Sequence, residues 1–284
     1  MNPREEAKIL EELGGSLLKH VYSLGVAYES MGELRQVVYS GFVIQEGAFW
    51  FWITAGHCLH QINELRTTEG VHVHSYRLHE ALKSRPSESI PIEYDSVTRF
   101  LSEGLSPDIG SLLLPNYVVD LLRANTDMEP FSGAHLRSIH GERCAQYFVL
   151  GYPAEIRKEE ILVEPNNIRM KFRSPTVMLS TSLDLAYDQE AEPTDFWGRE
   201  DCLYGQVDLQ TSDSGVELTD ISGMSGGPVI GFDLVGGAPK YWICGLQSMW
   251  LPKRGIVRVE TTGIIIGFLE YCVSNAIREI EEEV

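Results

Sequence analysis

The sequence predicts an all-β protein, a barrel or a sandwich, with a helix at each end. Three observations carry this: β-branched and aromatic runs recur from Val37 onward, Gly and Pro punctuate them at short intervals, and the clearest helical spacing lies near the two termini. With 284 residues, 43% of them apolar, the chain can bury a sizeable core in one large domain or two small ones.

In chain order, Ile9, Leu10, Leu13, Leu17 and Leu18 recur at three- and four-residue intervals, broken by Gly14-Gly15, and predict a helical lead-in. From Val37 to Thr54 the runs VVYSGFVI and AFWFWIT flank a Gln-Glu-Gly turn and predict a hairpin. Short strands are expected at HVHSYRL, IPIEYDSVTRF and IGSLLL, then at QYFVLGY, IRMKF, TVMLS, LYGQVDL, PVIGF, YWICGL and IVRVE. Pro115 to Gly141 has few strand signals and reads as a connection, with LPNYVVDLLR as a helix within it. Ser182 to Asp201 carries seven acidic residues and reads as an acidic loop. Ile265, Phe268, Leu269, Cys272, Val273, Ala276, Ile277 and Ile280 predict a C-terminal amphipathic helix. The expected organisation is a lead-in at 1–30, a first unit at 31–120, a connection at 121–142, a second unit at 143–262 and a helix at 263–284.

Charge and cysteine usage narrow the function classes. With 23 basic and 41 acidic residues the formal charge is -18, which repels nucleic acid and anionic membranes. The start, MNPREEAKIL, has no basic and apolar leader pattern, and the most apolar late stretch, Gly263 to Val273, is too short to span a bilayer. Cys58, Cys144, Cys202, Cys244 and Cys272 make an odd count without C-x-x-C spacing, so free thiols in a reducing, cytoplasmic setting are expected. His72, His74 and His79 lack a nearby carboxylate or cysteine at metal-binding spacing, and no metal or cofactor is expected. Trp50 and Trp52 read as core and contact residues.

Chemistry concentrates at Gly223-Met224-Ser225-Gly226-Gly227-Pro228, where small residues leave one serine hydroxyl and the neighbouring amides open. The amides of Gly223 and Ser225 can form an oxyanion hole, which acyl transfer requires. A serine hydroxyl needs a base, and His57 in Thr54-Ala55-Gly56-His57-Cys58 follows directly on a predicted strand. The imidazole needs a carboxylate to fix its tautomer, and Asp108 in Pro107-Asp108-Ile109-Gly110 opens another. The order discriminates among serine hydrolases. No histidine follows Ser225, against the α/β-hydrolase order, and no aspartate precedes His57, against the subtilisin order.

The blocks T-A-G-H-C, P-D-I-G and G-M-S-G-G-P, in that order, resemble the signature blocks of chymotrypsin/trypsin-like serine peptidases, over roughly residues 37 to 260. Val149 to Pro153 is similar to the early strand of the second barrel in Deg-like and other bacterial trypsin-type enzymes, here without a PDZ domain. The resemblance implies two six-stranded Greek-key barrels with a cleft between them. It also implies a Ser225–His57–Asp108 triad, an acyl-enzyme, an oxyanion hole at Gly223 and Ser225, and a protein or peptide substrate. Cys244 to Trp250 is similar to the strand that pairs with substrate beside the specificity pocket, so Ser248 and Trp250 join Thr219, which stands where trypsin keeps its basal acid, as expected substrate-binding residues. Small or medium apolar side chains are then favoured in the pocket, not Lys or Arg.

Departures from the pattern matter as well. Cys58 has no upstream cysteine to pair with, and Met224 replaces the aspartate that locks the oxyanion loop in secreted relatives. No Arg-Ile-Val-Gly-Gly activation motif precedes the first unit. Control by a partner protein or by the flanking helices is therefore expected in place of zymogen cleavage. The alternative from another class is a non-catalytic module that holds peptides or a partner chain on the same fold.

Overall fold

Strand pairing starts earlier than the expected boundary at residue 31. The computed structural model describes residues 12–80, 89–102, 107–136, 144–156, 158–164, 167–173, 176–184, 202–209, 218–236 and 238–282. Residues 12–18 form helix α1, and β1 (Val21–Ser30) follows at once. The helical lead-in thus ends at Leu18, not at residue 30. Val21, Tyr22, Leu24 and Val26 are β-branched, aromatic or bulky and all buried, and β1 sits between two pairing partners.

The first sheet runs in the order β5-β4-β1-β2-β3-β7-β6 and curls into a half-barrel. Its strands are β2 (Glu33–Glu46), β3 (Phe49–Thr54), β4 (Val71–Glu80), β5 (Ile90–Ile92), β6 (Arg99–Leu101) and β7 (Gly110–Leu113). Helix α2 (Gly56–Thr67) follows β3, and α3 (Asn116–Asn125) realises the helix expected at LPNYVVDLLR. β8 (Phe131–Ser132) then pairs in parallel with β2, so the first unit reaches into the segment expected to be a connection. Tyr22, Phe42, Phe51, Trp52 and Phe131 fill the core at 1% exposure or less. The Trp52 indole N–H donates to the Tyr22 carbonyl at 3.1 Å, while Trp50 packs beneath the Arg123 guanidinium.

The second unit is a closed barrel in the order β12-β13-β16-β15-β14-β9. These strands are β9 (Gln146–Gly151), β12 (Val177–Asp184), β13 (Cys202–Val207), β14 (Pro228–Val235), β15 (Ala238–Leu251) and β16 (Ile256–Thr261). β10 (Lys158–Glu164) and β11 (Asn167–Arg173) form a separate hairpin. Most of the acidic stretch, from 185 to 201, lies outside the described residues. The first unit is therefore an open, curled sheet among the described residues, whereas the second closes on six strands as expected.

Both terminal helices are part of the core, not appendages outside it. Leu13 and Leu17 of α1 are buried in the same cluster as Phe42 and Trp52. Helix α4 (Thr262–Glu282) buries Ile265, Phe268, Leu269, Cys272 and Ala276, at the i, i+3, i+4 spacing read from the sequence. It returns to the first sheet, where Cys272 Sγ lies 3.5 Å from Ser111 Oγ and Thr98 Oγ1 donates to Glu279 at 2.9 Å. His72 and His74 stack edge to face on β4, with His74 Nε2 3.6 Å from Glu29, and no cluster of three metal-binding side chains occurs among the described residues.

Candidate active site

Strand pairing brings the first two candidate residues together. β3 and β7 are antiparallel partners, with Thr54 opposite Gly110, so the end of one lies beside the beginning of the other. His57 sits in the first turn of α2, just past Thr54, and Asp108 lies two residues before Gly110. Helix α2 needs acceptors for its first N–H groups, and the Ala55 side chain at its N-cap offers none. Asp108 supplies one from a distance: its Oδ1 accepts the His57 backbone N–H at 2.8 Å. Its Oδ2 accepts from His57 Nδ1 at 2.7 Å, so one carboxylate fixes both the backbone and the ring. Gly56 permits this approach, since a Cβ there would lie 3.0 Å from Asp108 Oδ1.

The electrostatics follow from the same contacts. Burial alone would favour neutral imidazole, but the hydrogen bond to Asp108, with a contribution from Cys58, outweighs it and holds the His57 pKa above its ordinary value. For Asp108, burial acts upward and is overcome by the hydrogen bonds and charge of His57 and then by the charge of Arg258, leaving the carboxyl below its usual range. The His57 side chain keeps 40% of its surface, against 12% for Asp108, so the ring's far edge is open while the carboxylate is enclosed.

Ser225 arrives from the second barrel on a loop wedged against the end of β3. Gly226 adopts φ +92°, and a Cβ there would collide with Thr54 Oγ1 and the Ser40 carbonyl, so glycine is required on both counts. Gly226 N–H donates to the Gln247 carbonyl at 2.7 Å and Gln247 N–H to the Gly227 carbonyl at 3.0 Å, stitching the loop to β15. The Ser225 carbonyl lies 3.7 Å from Cys58 Sγ, next to His57 in sequence. The loop and the dyad thus meet, but Ser225 Oγ and His57 form no hydrogen bond in this state. Among the described residues the Gly223 and Ser225 amides donate to no backbone carbonyl.

Two features of the loop were not legible in the sequence. Ser40, fully buried on β2, donates its hydroxyl to the Gly223 carbonyl at 2.7 Å and accepts from the Tyr152 amide at 2.9 Å. Met224 is fully buried in the second barrel's core and packs over Gly151. The loop is held by a hydroxyl latch from the first unit and by an apolar anchor.

The expected substrate-binding residues divide. Thr219 is exposed, and its amide and hydroxyl are both engaged by Glu155, at 2.8 and 2.7 Å. Asp220 Oδ1 accepts from Trp250 Nε1 at 2.8 Å and from the Ser222 amide at 3.0 Å, which draws the Trp250 ring toward the 218–222 segment. Ser248 does not face the cleft. It is buried at a β-bulge between Gln247 and Met249, and its hydroxyl is bonded to Arg258.

No protein-family model matches the chain, and no curated protein matches it in sequence. Among solved structures, the structure of GrC is similar over 92% of this chain and 95% of that one, at 15% identity and a TM-score of 0.50. The Rv3671c protease from M. tuberculosis, in its active form, is similar over 95% of this chain and 86% of its own, at 17% identity and a TM-score of 0.43. The protease Anisep from Arthrobacter nicotinovorans is similar over 86% and 90%, at 15% identity and a TM-score of 0.43. The chain has the chymotrypsin-like two-barrel fold.

Proposed function

We propose that the chain is a serine endopeptidase that cleaves protein or peptide substrates through an acyl-enzyme. The observation that carries this reading is the 2.7 Å contact between His57 Nδ1 and Asp108 Oδ2, with the Ser225 loop wedged against the same strand end. In this mechanism His57 Nε2 accepts the Ser225 proton as Oγ attacks the carbonyl carbon, and Asp108 stabilises the imidazolium. The Gly223 and Ser225 amides stabilise the oxyanion. His57 then returns the proton to the leaving amine, and water, activated by the same imidazole, hydrolyses the ester.

Around that reading stand finer proposals. Trp250 narrows the pocket and small or medium apolar side chains are preferred there, because the carboxylates nearby, Glu155 and Asp220, are already engaged by Thr219, Ser222 and Trp250. None of the five cysteines is in a disulfide, which suits a reducing, cytoplasmic setting. No helix among the described residues is long and apolar enough to cross a membrane. Activity is controlled by a partner or by the flanking helices, of which α1 packs Leu13 and Leu17 into the core of the first unit.

A second reading, a peptide-holding module without turnover, is favoured by one observation: Ser225 and His57 are not hydrogen-bonded in this state. Hydrogen bonds of this kind are often long before substrate arrives. A fluorophosphonate probe separates the two. Labelling confined to Ser225 and lost in Ser225→Ala is the expected result; absence of labelling with and without peptide substrates would favour the module.

A further inference from the structure

Behind the dyad, the second barrel presents a buried cation. Arg258 lies on β16, where alternation sets Val257 and Val259 on one face and Arg258 and Glu260 on the other. Arginine and glutamate in such a strand ordinarily face water, yet the Arg258 side chain keeps 3% of its surface and that of Glu260 keeps none. One terminal nitrogen of Arg258 lies 3.4 Å from Glu260 Oε1 and 3.9 Å from Asp108 Oδ2. Arg258 Nε donates to Ser248 Oγ at 3.0 Å, and that hydroxyl donates to the Arg258 carbonyl at 3.3 Å. The stem of the guanidinium is thereby fixed on the second barrel while its charged end reaches the first.

Burying an ion pair costs desolvation, and an apolar pair of similar volume would pack β16 without that penalty. An apolar pair could not, however, place charge beside Asp108. The oxygen that Arg258 approaches, Oδ2, is the same one that accepts the His57 ring N–H. Glu260, Arg258, Asp108 and His57 therefore form one chain of alternating charge when His57 is protonated, and it crosses the boundary between the two units.

We propose that Arg258 is a positioning residue: with Glu260 as its counter-ion it holds the Asp108 carboxylate in place and limits how strongly Asp108 stabilises charge on His57. The inference rests on the peptidase reading. A cation beside a carboxylate tempers that carboxylate's pull on a neighbouring imidazole, so the proton affinity of the base depends on the whole charge chain and not on Asp108 alone. Among the described residues, the groups facing this chain include Cys58 and Asp108 around His57, and Arg258 beside Asp108. Asp108 and Glu260 flank Arg258, and Cys202 of β13 lies against Glu260.

The test is an NMR titration of the His57 ring in the full chain, alongside the pH profile of fluorophosphonate labelling. Removing both charges in Arg258→Met/Glu260→Gln should raise the His57 midpoint by about one unit, because the cation is the nearer of the two charges. Glu260→Gln alone should lower it by about half a unit, since the cation is then unopposed. A merely structural role predicts no such pair of opposite shifts. Unchanged midpoints in variants that unfold cooperatively would overturn the proposal, and the near-isosteric Glu260→Gln decides the matter if the double variant does not fold. The two failures are distinguishable. If the wild type never labels but the midpoints move as stated, the charge chain stands and the peptidase reading falls; if the wild type labels while the midpoints stay, the reverse holds.

Discussion

The dyad and the nucleophile loop are held in place by different means. His57 and Asp108 are joined by two hydrogen bonds, at 2.8 and 2.7 Å, between residues that the β3–β7 pairing already makes neighbours. The Ser225 loop is tied to its own barrel by the backbone bonds between Gly226, Gly227 and Gln247. Met224 is buried in that barrel's own core, whereas the close fit of Gly226 against Thr54 and the Ser40 latch depend on the two units being docked. The hydrogen bonds of the proposed base thus lie within the first unit, with Arg258 reaching it from the second, while the fit and the latch of the proposed nucleophile loop span the boundary. Chemistry at the dyad and geometry at the loop should therefore respond to different mutations.

The largest effects fall on the reacting groups. Ser225→Ala and His57→Ala should each abolish probe labelling and peptide cleavage while leaving cooperative unfolding nearly unchanged, because both side chains are partly exposed. Asp108→Asn should cost about four orders of magnitude in kcat/KM, the loss expected when the imidazole tautomer is no longer fixed. Wild-type turnover by any of these three variants would remove the triad assignment.

Next comes Gly226→Ala, which attacks the boundary itself. A Cβ there meets Thr54 Oγ1 and the Ser40 carbonyl at a φ that alanine resists. We expect loss of activity together with a drop of about 2 kcal/mol or more in unfolding free energy. Chemical denaturation measures both sides of that claim, and an active variant of unchanged stability would show that the loop is not wedged as described.

Ser40→Ala tests the latch with a smaller lesion. It leaves the Gly223 carbonyl and the Tyr152 amide without their shared partner, at a cost of about 1–3 kcal/mol in the competent geometry. Labelling should slow by roughly ten- to a hundredfold, and Ser40→Thr should recover part of it. Rates equal to wild type would mean that Met224 and the bonds to Gln247 hold the loop without the latch.

How much of this was legible follows the same division. The sequence singled out His57, Asp108 and Ser225 from three short blocks in a fixed order, and of these the structure brings His57 and Asp108 into direct contact. Most strands were marked by β-branched runs. β1 was not foreseen because helical spacing just before it ran into a segment, VYSLGVAY, buried on both faces, where two-residue alternation disappears. β8 is two residues long and carries no pattern. Ser40, Arg258 and Glu260 were invisible for a different reason. Each sits in an ordinary strand, and only a fold that brings distant strands together makes a serine into a latch or an arginine into a neighbour of Asp108. Ser248 was misplaced because a bulge, which sequence alternation cannot reveal, turns its hydroxyl inward.

The smallest expected effect is a displacement along the pH axis, and it separates the two regions most cleanly. The His57 pKa is held above its ordinary 6.5, and a general base must be neutral to accept the Ser225 proton. The labelling rate should therefore climb with pH along a single limb whose midpoint lies above 6.5. Asp108 is held below its usual range and stays ionised throughout that climb, so it adds no second limb near neutrality. Ser40 touches the oxyanion loop and neither member of the dyad, so Ser40→Ala should lower the plateau and leave the midpoint where it is. Asp108→Asn should do both, since it removes the charge that raises the imidazole as well as the acceptor that orients it, and its midpoint should fall. Stopped-flow or gel-based labelling from about pH 5 to about pH 11 on the three proteins reads plateau and midpoint separately. A midpoint that moves with Ser40→Ala would mean that loop and base are one coupled unit, and that the first unit does not hold its dyad ready on its own.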